Sequence, residues 1–140
     1  MTHRTARLDH VVLWVADPAA AADFYERTLG LEPLRLAEFT AGEVAFPSVR
    51  LNEETILDLA PHTLAPRMPA LPGSAGHPVN HICLSLPSSD AFDTLRARLA
   101  EHAVPMTDIG HDSFGARGKA PRTFYFSDPD GNVVEARHYG

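Results

Sequence analysis

Two histidines and two carboxylates stand at matching places in the two halves of this chain. Asp9-His10-Val11-Val12-Leu13 pairs with Asn80-His81-Ile82-Cys83-Leu84, and Ile56-Leu57-Asp58-Leu59 pairs with Val133-Val134-Glu135-Ala136. Positions 10 and 81 differ by 71 and positions 58 and 135 by 77, a mismatch that a loop insertion absorbs. A duplicated unit places equivalent positions across a pseudo-twofold axis. If the strands carrying them line one cleft, two imidazoles and two carboxylates converge. Such a set of nitrogen and oxygen donors suits one divalent metal, Zn, Ni, Mn, Co or Fe(II). A lone histidine is more often packed or solvated than a ligand, and His3, His62, His77, His102, His111 and His138 have no such counterpart. Repeat-equivalence is what marks His10, His81, Asp58 and Glu135 as metal-ligand candidates. Asp58 has the shorter carboxylate arm and is a direct ligand, a ligand through water, or a bystander.

The elements that must hold these residues follow from periodicity and capping. Leu8–Val15 is rich in β-branched and aromatic residues and predicts a buried strand. Asp17 is the expected N-cap and Pro18 the first residue of a helix through Ala19–Thr28, with Ala21, Phe24, Tyr25 and Thr28 near one face. Phe24 and Tyr25 read as core rather than cleft lining, and Gly30 is the expected stop. Strands follow over Glu32–Phe39, Glu43–Leu51 and Thr55–Ala60, the last two joined by a turn at Asn52-Glu53-Glu54. Pro61–Pro78 is dense in proline and carries Gly73 and Gly76, which predicts an irregular surface linker.

The pattern then restarts. Val79–Leu86 is a strand, and Pro87-Ser88-Ser89-Asp90 introduces a helix to about His102 with Phe92, Leu95 and Leu99 on its apolar stripe. Strands are expected near Met106–His111, Arg122–Ser127 and Asn132–Tyr139, with Asp128-Pro129-Asp130-Gly131 as the last tight turn. Ile109–Lys119, with three glycines, reads as a mobile loop over the site or as an ordinary connection. The expected class is α+β, two tandem βαβββ modules. The expected layout is one domain over residues 1–140: module one about 7–60, linker about 61–78, module two about 79–139.

A length of 140 residues fits one compact domain with a single core. The net charge of -6 and the scattered basic residues argue against a nucleic-acid partner. No apolar run is long enough to cross a bilayer, and the N-terminus lacks the apolar core of a signal peptide, so a cytoplasmic protein with no membrane partner is expected. The single cysteine, Cys83, has no internal disulfide partner. Between Ile82 and Leu84 it reads as a buried strand thiol rather than a nucleophile.

At these residues the sequence resembles the vicinal oxygen chelate superfamily, which includes glyoxalase I, extradiol dioxygenases, fosfomycin-resistance proteins and bleomycin-binding resistance proteins. The resemblance spans Leu8 to Tyr139. It is carried by Leu8-Asp9-His10, by Asp23-Phe24-Tyr25 with Leu29-Gly30-Leu31, by His81, and by Phe124-Tyr125-Phe126-Ser127-Asp128-Pro129-Asp130-Gly131-Asn132 leading to Glu135. It implies an open, half-barrel-like sheet around a central cleft that cups one divalent metal. The family's ligand positions fall on His10, Asp58, His81 and Glu135. Asp58 departs from the Glu of the lyase branch and from the His of other members. Without it, His10, His81 and Glu135 make a two-histidine, one-carboxylate face with open positions.

The resemblance further implies Lewis-acid chemistry on a small-molecule substrate with vicinal oxygens, in a glyoxalase-like lyase or isomerase. Glu135 is then the first candidate for the catalytic base and Asp58 the second. Arg122, Tyr125 and Phe114 are candidate substrate contacts, whereas Lys119 reads as a solubilising surface residue. The first rival is an Fe(II) dioxygenase, although the window Ala116-Arg117-Gly118 lacks the acid–base histidine of the extradiol signature. The others are a non-enzymatic drug- or metabolite-binding resistance protein and thiol transfer to fosfomycin. Exposed sheet edges imply a homodimer.

Overall fold

The computed structural model describes residues 8, 10–67, 81–115 and 117–140. The chain divides into two compact units, with the boundary between Met68 and Pro69. In the first unit, β1 (His10–Val15) leads into α1 (Pro18–Leu29), β2 (Glu32–Leu34), the short α2 (Leu36–Thr40), β3 (Ser48–Arg50) and β4 (Ile56–Pro61). The sheet order is β1-β4-β3-β2, with β1 parallel to β4 and the other pairs antiparallel. The second unit has β5 (Ile82–Leu86), α3 (Ser89–Glu101), β6 (Gly110–Gly115), β7 (Gly118–Ser127) and β8 (Val133–His138). Its order, β5-β8-β7-β6, repeats the first, with β5 parallel to β8. Each unit is therefore a four-stranded open sheet backed by one long helix, and the two βαβββ modules of the α+β class are both present.

Capping fixes the helix ends. The Asp17 carboxylate accepts bonds from the backbone N–H groups of Ala19 and Ala20, at 3.1 and 3.2 Å. These satisfy donors that have no partner inside the helix. Gly30 ends α1 at φ 71°, a left-handed conformation that costs little without a Cβ. Ser88 caps α3 through Ala91 N–H at 3.1 Å.

Side-chain alternation then separates two faces on each sheet. Leu13 and Val15 of β1, with Leu57 and Leu59 of β4, are buried with Ala21, Ala22, Phe24 and Tyr25 of α1. His10, Val12 and Trp14 alternate onto the opposite face of β1. In the second unit Phe124, Phe126, Val134 and Ala136 form the core with Phe92, Leu95 and Leu99 of α3. Phe92 meets Phe124 edge-on, with ring centroids 5.2 Å apart. Glu135 and Arg137 alternate onto the other face of β8. Each unit thus packs a helix against its sheet.

Four local expectations are corrected. The strand expected over Glu32–Phe39 stops at Leu34, because Arg35 turns the chain at φ 58° and Leu36–Thr40 coils into α2. The strand expected over Glu43–Leu51 shrinks to Ser48–Arg50, since Pro47 has no N–H to continue the ladder. The proline-rich stretch opens not irregularly but as a 3-10 helix, His62–Arg67; the rest of the expected linker lies outside the described residues. Finally, within the expected loop Ile109–Lys119, Gly110–Gly115 is a strand, β6, and β7 begins at Gly118. Residues 110–115 pair antiparallel with β7, Gly110 opposite Thr123 and Gly115 opposite Gly118, and near Met106 only a single bridge to Phe126 forms. No helix among the described residues is long and apolar enough to cross a membrane.

Candidate metal site

Each unit brings one histidine to one carboxylate by the same backbone device. Val12 is the register partner of Asp58 across the parallel pair β1–β4, and Cys83 is the partner of Glu135 across β5–β8. In both units the histidine lies two residues before that partner, so it shares the face of the carboxylate on the neighbouring strand. His10 Nε2 stands 3.9 Å from Asp58 Oδ2, and His81 Nε2 stands 3.3 Å from Glu135 Oε1.

These separations test the fit of a metal. Two donors each about 2.1 Å from one ion, at tetrahedral or octahedral angles, lie roughly 3.0–3.4 Å apart. The His81–Glu135 pair already has this spacing. The His10–Asp58 pair, at 3.9 Å, is wider than this spacing. Among the described residues, no three His, Cys, Asp or Glu side chains gather into a metal-holding group. The described geometry is thus one histidine–carboxylate pair in each unit.

In each carboxylate one oxygen has a hydroxyl donor and a guanidinium nearby. Ser48, the antiparallel partner of Asp58, donates to Asp58 Oδ1 at 2.6 Å, and Arg35 donates to the Ser48 hydroxyl while its Nη2 sits 3.7 Å from Oδ1. In the second unit Thr123 donates to Glu135 Oε2, and Arg137 Nη2 donates to the same oxygen at 2.6 Å. Burial works against ionisation of Glu135 and is the largest single influence. The bonds from Thr123, Arg137 and Tyr125 together outweigh it, so its carboxyl is held below the ordinary value. Glu135 is therefore a carboxylate near neutral pH. Burial and the Glu135 charge push the Tyr125 phenol up, which keeps it a neutral donor to Glu135.

The other expected site residues divide. Tyr125 lies on the Glu135 face of β7 and meets the His81 ring edge-on, with centroids 5.4 Å apart. Arg122 lies on the helix-packed face. Its guanidinium bonds to Asp93 at 2.8 Å, the Ser89 hydroxyl at 2.9 Å and His138 Nε2 at 3.1 Å, and covers the Phe92 ring. It is not brought together with Glu135. The backbone of Phe114 pairs with Lys119 in the β6–β7 hairpin.

Four residues were missed by sequence reasoning: Ser48, Arg35, Thr123 and Arg137. A period-two signal was present for Thr123 and Arg137, which share the face of Tyr125 and Glu135. Cys83 needs correction, for it is exposed rather than buried. It alternates onto the ligand face because His81 does. Protein packed around its sulfur, and then the Glu135 charge, raise its pKa, so the thiol form prevails at neutral pH.

Comparison with known proteins follows this geometry. The profile described as Glyoxalase/Bleomycin resistance protein/Dioxygenase superfamily matches residues 7–136. The virulence protein STM3117 of Salmonella typhimurium is 25% identical over 134 residues, covering 95% of this chain and 84% of that protein. Lactoylglutathione lyase from Agrobacterium tumefaciens has the same fold at TM-score 0.68 and 20% identity, covering 98% of this chain and 96% of that one. TnmS3, an antibiotic-binding protein from Streptomyces sp. CB03234, superposes at TM-score 0.66 and 21% identity, covering 99% of this chain and 100% of that one.

Proposed function

This chain belongs to the glyoxalase/bleomycin resistance protein/dioxygenase superfamily, and from that premise we propose that it is a divalent-metal-dependent enzyme acting on a small molecule with vicinal oxygens, as a lyase or isomerase. His10, His81 and Glu135 are the ligands of this reading, with Asp58 as the fourth. The observation that carries it is the 3.3 Å spacing of His81 Nε2 and Glu135 Oε1, which matches two donors on one ion. When bound, the ion would supply Lewis-acid stabilisation of negative charge developing on the substrate oxygens. Once substrate has displaced it as a ligand, Glu135 would take the substrate proton at Oε1, the oxygen on the histidine side. Its depressed pKa makes it a modest base, so it works only against a carbon acid whose acidity the site has already raised. Tyr125, beside His81, is the substrate contact of this reading.

Metal analysis and calorimetric titration of the purified protein with Zn, Ni, Mn, Co and Fe(II) test the proposal. One tightly held ion per chain is expected, with affinity weakened by His10→Ala, by His81→Ala and by Glu135→Gln. Glu135→Gln should also abolish proton transfer from an α-hydroxy carbonyl substrate. A folded protein with no affinity for any of these ions refutes it. That outcome would favour a metal-free binding protein, a reading supported by Trp14, which sits on the His10 face and stacks against His62 at 6.4 Å. The open edges of each four-stranded sheet support a homodimer, which sedimentation at several concentrations would test.

A further inference from the structure

We infer that Thr123 and Arg137 are positioning residues that make Glu135 a one-oxygen ligand, and that Ser48 and Arg35 do the same for Asp58; this rests on the metal reading above. In each unit a hydroxyl and a guanidinium hold one carboxylate oxygen, and the other oxygen stands on the histidine side. The supporting residues are not repeat-equivalent. Ser48 is the register partner of its carboxylate, while Thr123 lies two residues from Tyr125, the partner of Glu135. Arg35 precedes α2, whereas Arg137 is in β8 itself. Two different solutions that leave the same oxygen facing the histidine are not a relic of duplication.

A second observation concerns the cost of this arrangement. Arg137 is buried, donates from Nη1 to the Ser113 carbonyl at 3.2 Å, and leaves its own Nε buried with no hydrogen-bond partner among the described residues. A buried unsatisfied donor is unfavourable and is tolerated where another constraint fixes the side chain. Here the constraint is the fork that must reach Glu135 Oε2 from the same strand. A carboxylate anchored at one oxygen has lost the freedom to rotate and to chelate with both. With Oε2 held by Thr123 and Arg137, Oε1 is fixed on the His81 side before any ion arrives, which is how partners behind the ligands raise metal affinity.

The test is calorimetric Mn(II) and Ni(II) titration of Thr123→Val and Arg137→Lys, with folding verified by circular dichroism. Thr123→Val removes one donor at nearly constant shape and no change in charge; Arg137→Lys keeps the charge but loses the fork. Each is expected to bind about 10-fold more weakly than wild type. The Co(II) absorption spectrum of each variant should also shift as Glu135 gains freedom to use both oxygens, a readout that a merely structural role would not move. Wild-type binding with both variants within twofold of it, and unchanged Co(II) spectra, overturns the positioning role alone. Absence of binding by the wild type overturns the metal reading and this inference with it. If one variant fails to fold, the other carries the same decision.

Discussion

Replacing Arg137 by Met removes the positive partner of a carboxylate that has almost no access to water. Glu135 and Arg137 are 3% and 5% exposed, and 2.6 Å separates Nη2 from Oε2. Removing one member of a buried ion pair costs about 3–5 kcal/mol, because the remaining charge is left without compensation. One feature places this pair at the lower end: Thr123 and Tyr125 still donate to Glu135. The expected loss is about 3 kcal/mol at pH 7. The pH dependence follows from the sign of the Glu135 shift. In the wild type the folded value lies below the unfolded one, so the group contributes stability above the unfolded pKa of about 4.3 and loses it as pH falls through the lower folded value. Without Arg137, burial is less fully opposed and the folded value rises. The variant therefore recovers stability, relative to wild type, as Glu135 takes up a proton. Urea unfolding in EDTA at pH 7 and pH 4 measures both numbers. A gap below about 1 kcal/mol at pH 7, or the same gap at both pH values, would refute the argument that burial makes this pair matter.

Phe92→Ala should cost about 3–5 kcal/mol in the same assay, since Phe92 is fully buried against Phe124 and beneath Arg122. Asp17→Ala should cost about 1 kcal/mol through the lost α1 cap, with Asp17→Ser restoring most of it. Alkylation of Cys83 should be slow at pH 7, and its rate should still climb at pH 9; a plateau below pH 8 would contradict the raised thiol pKa. Arg122→Ala should lower the melting temperature without changing divalent-metal affinity, because its bonds run to α3 and His138.

Features coded by neighbours in sequence were legible, and features set by partners distant in sequence were not. Asp17, Pro18 and Gly30 bound α1 because caps act within a turn. Asp128 closes its turn by accepting from the N–H groups of Asp130 and Asn132, at 2.9 and 2.8 Å, again a local effect. By contrast, Gly110-His111-Asp112-Ser113-Phe114-Gly115 has poor strand propensity and becomes β6 only because β7 offers a ladder. The same holds at the site. His10, His81, Asp58 and Glu135 were visible as a repeated pattern, but the hydroxyl and guanidinium groups behind the carboxylates depend on which strands meet. Arg122 and Arg137 differ by an odd number of residues across a paired register, so one faces the helix and the other faces Glu135. Residue type alone does not say which arginine lies beside Glu135.

The offset between the halves locates where they diverged. Ser48 and Tyr125 differ by 77 positions, as do Asp58 and Glu135, whereas the histidines differ by 71. The extra residues thus entered between the first and third strands of the module, and the β3–β4 and β7–β8 registers were preserved. Within that preserved frame Asp58 became one methylene shorter than Glu135. The supporting hydroxyl changed with it. Opposite Asp58, at the register position itself, stands Ser48, short enough to meet a short carboxylate at 2.6 Å. Opposite Glu135 that position holds Tyr125, and the hydroxyl on Oε2 comes from Thr123, two residues along the same face. The longer arm is met farther along the strand and the shorter arm directly across. Asp58 and Ser48 are matched in reach, and the bond between them leaves Oδ2 on the His10 side.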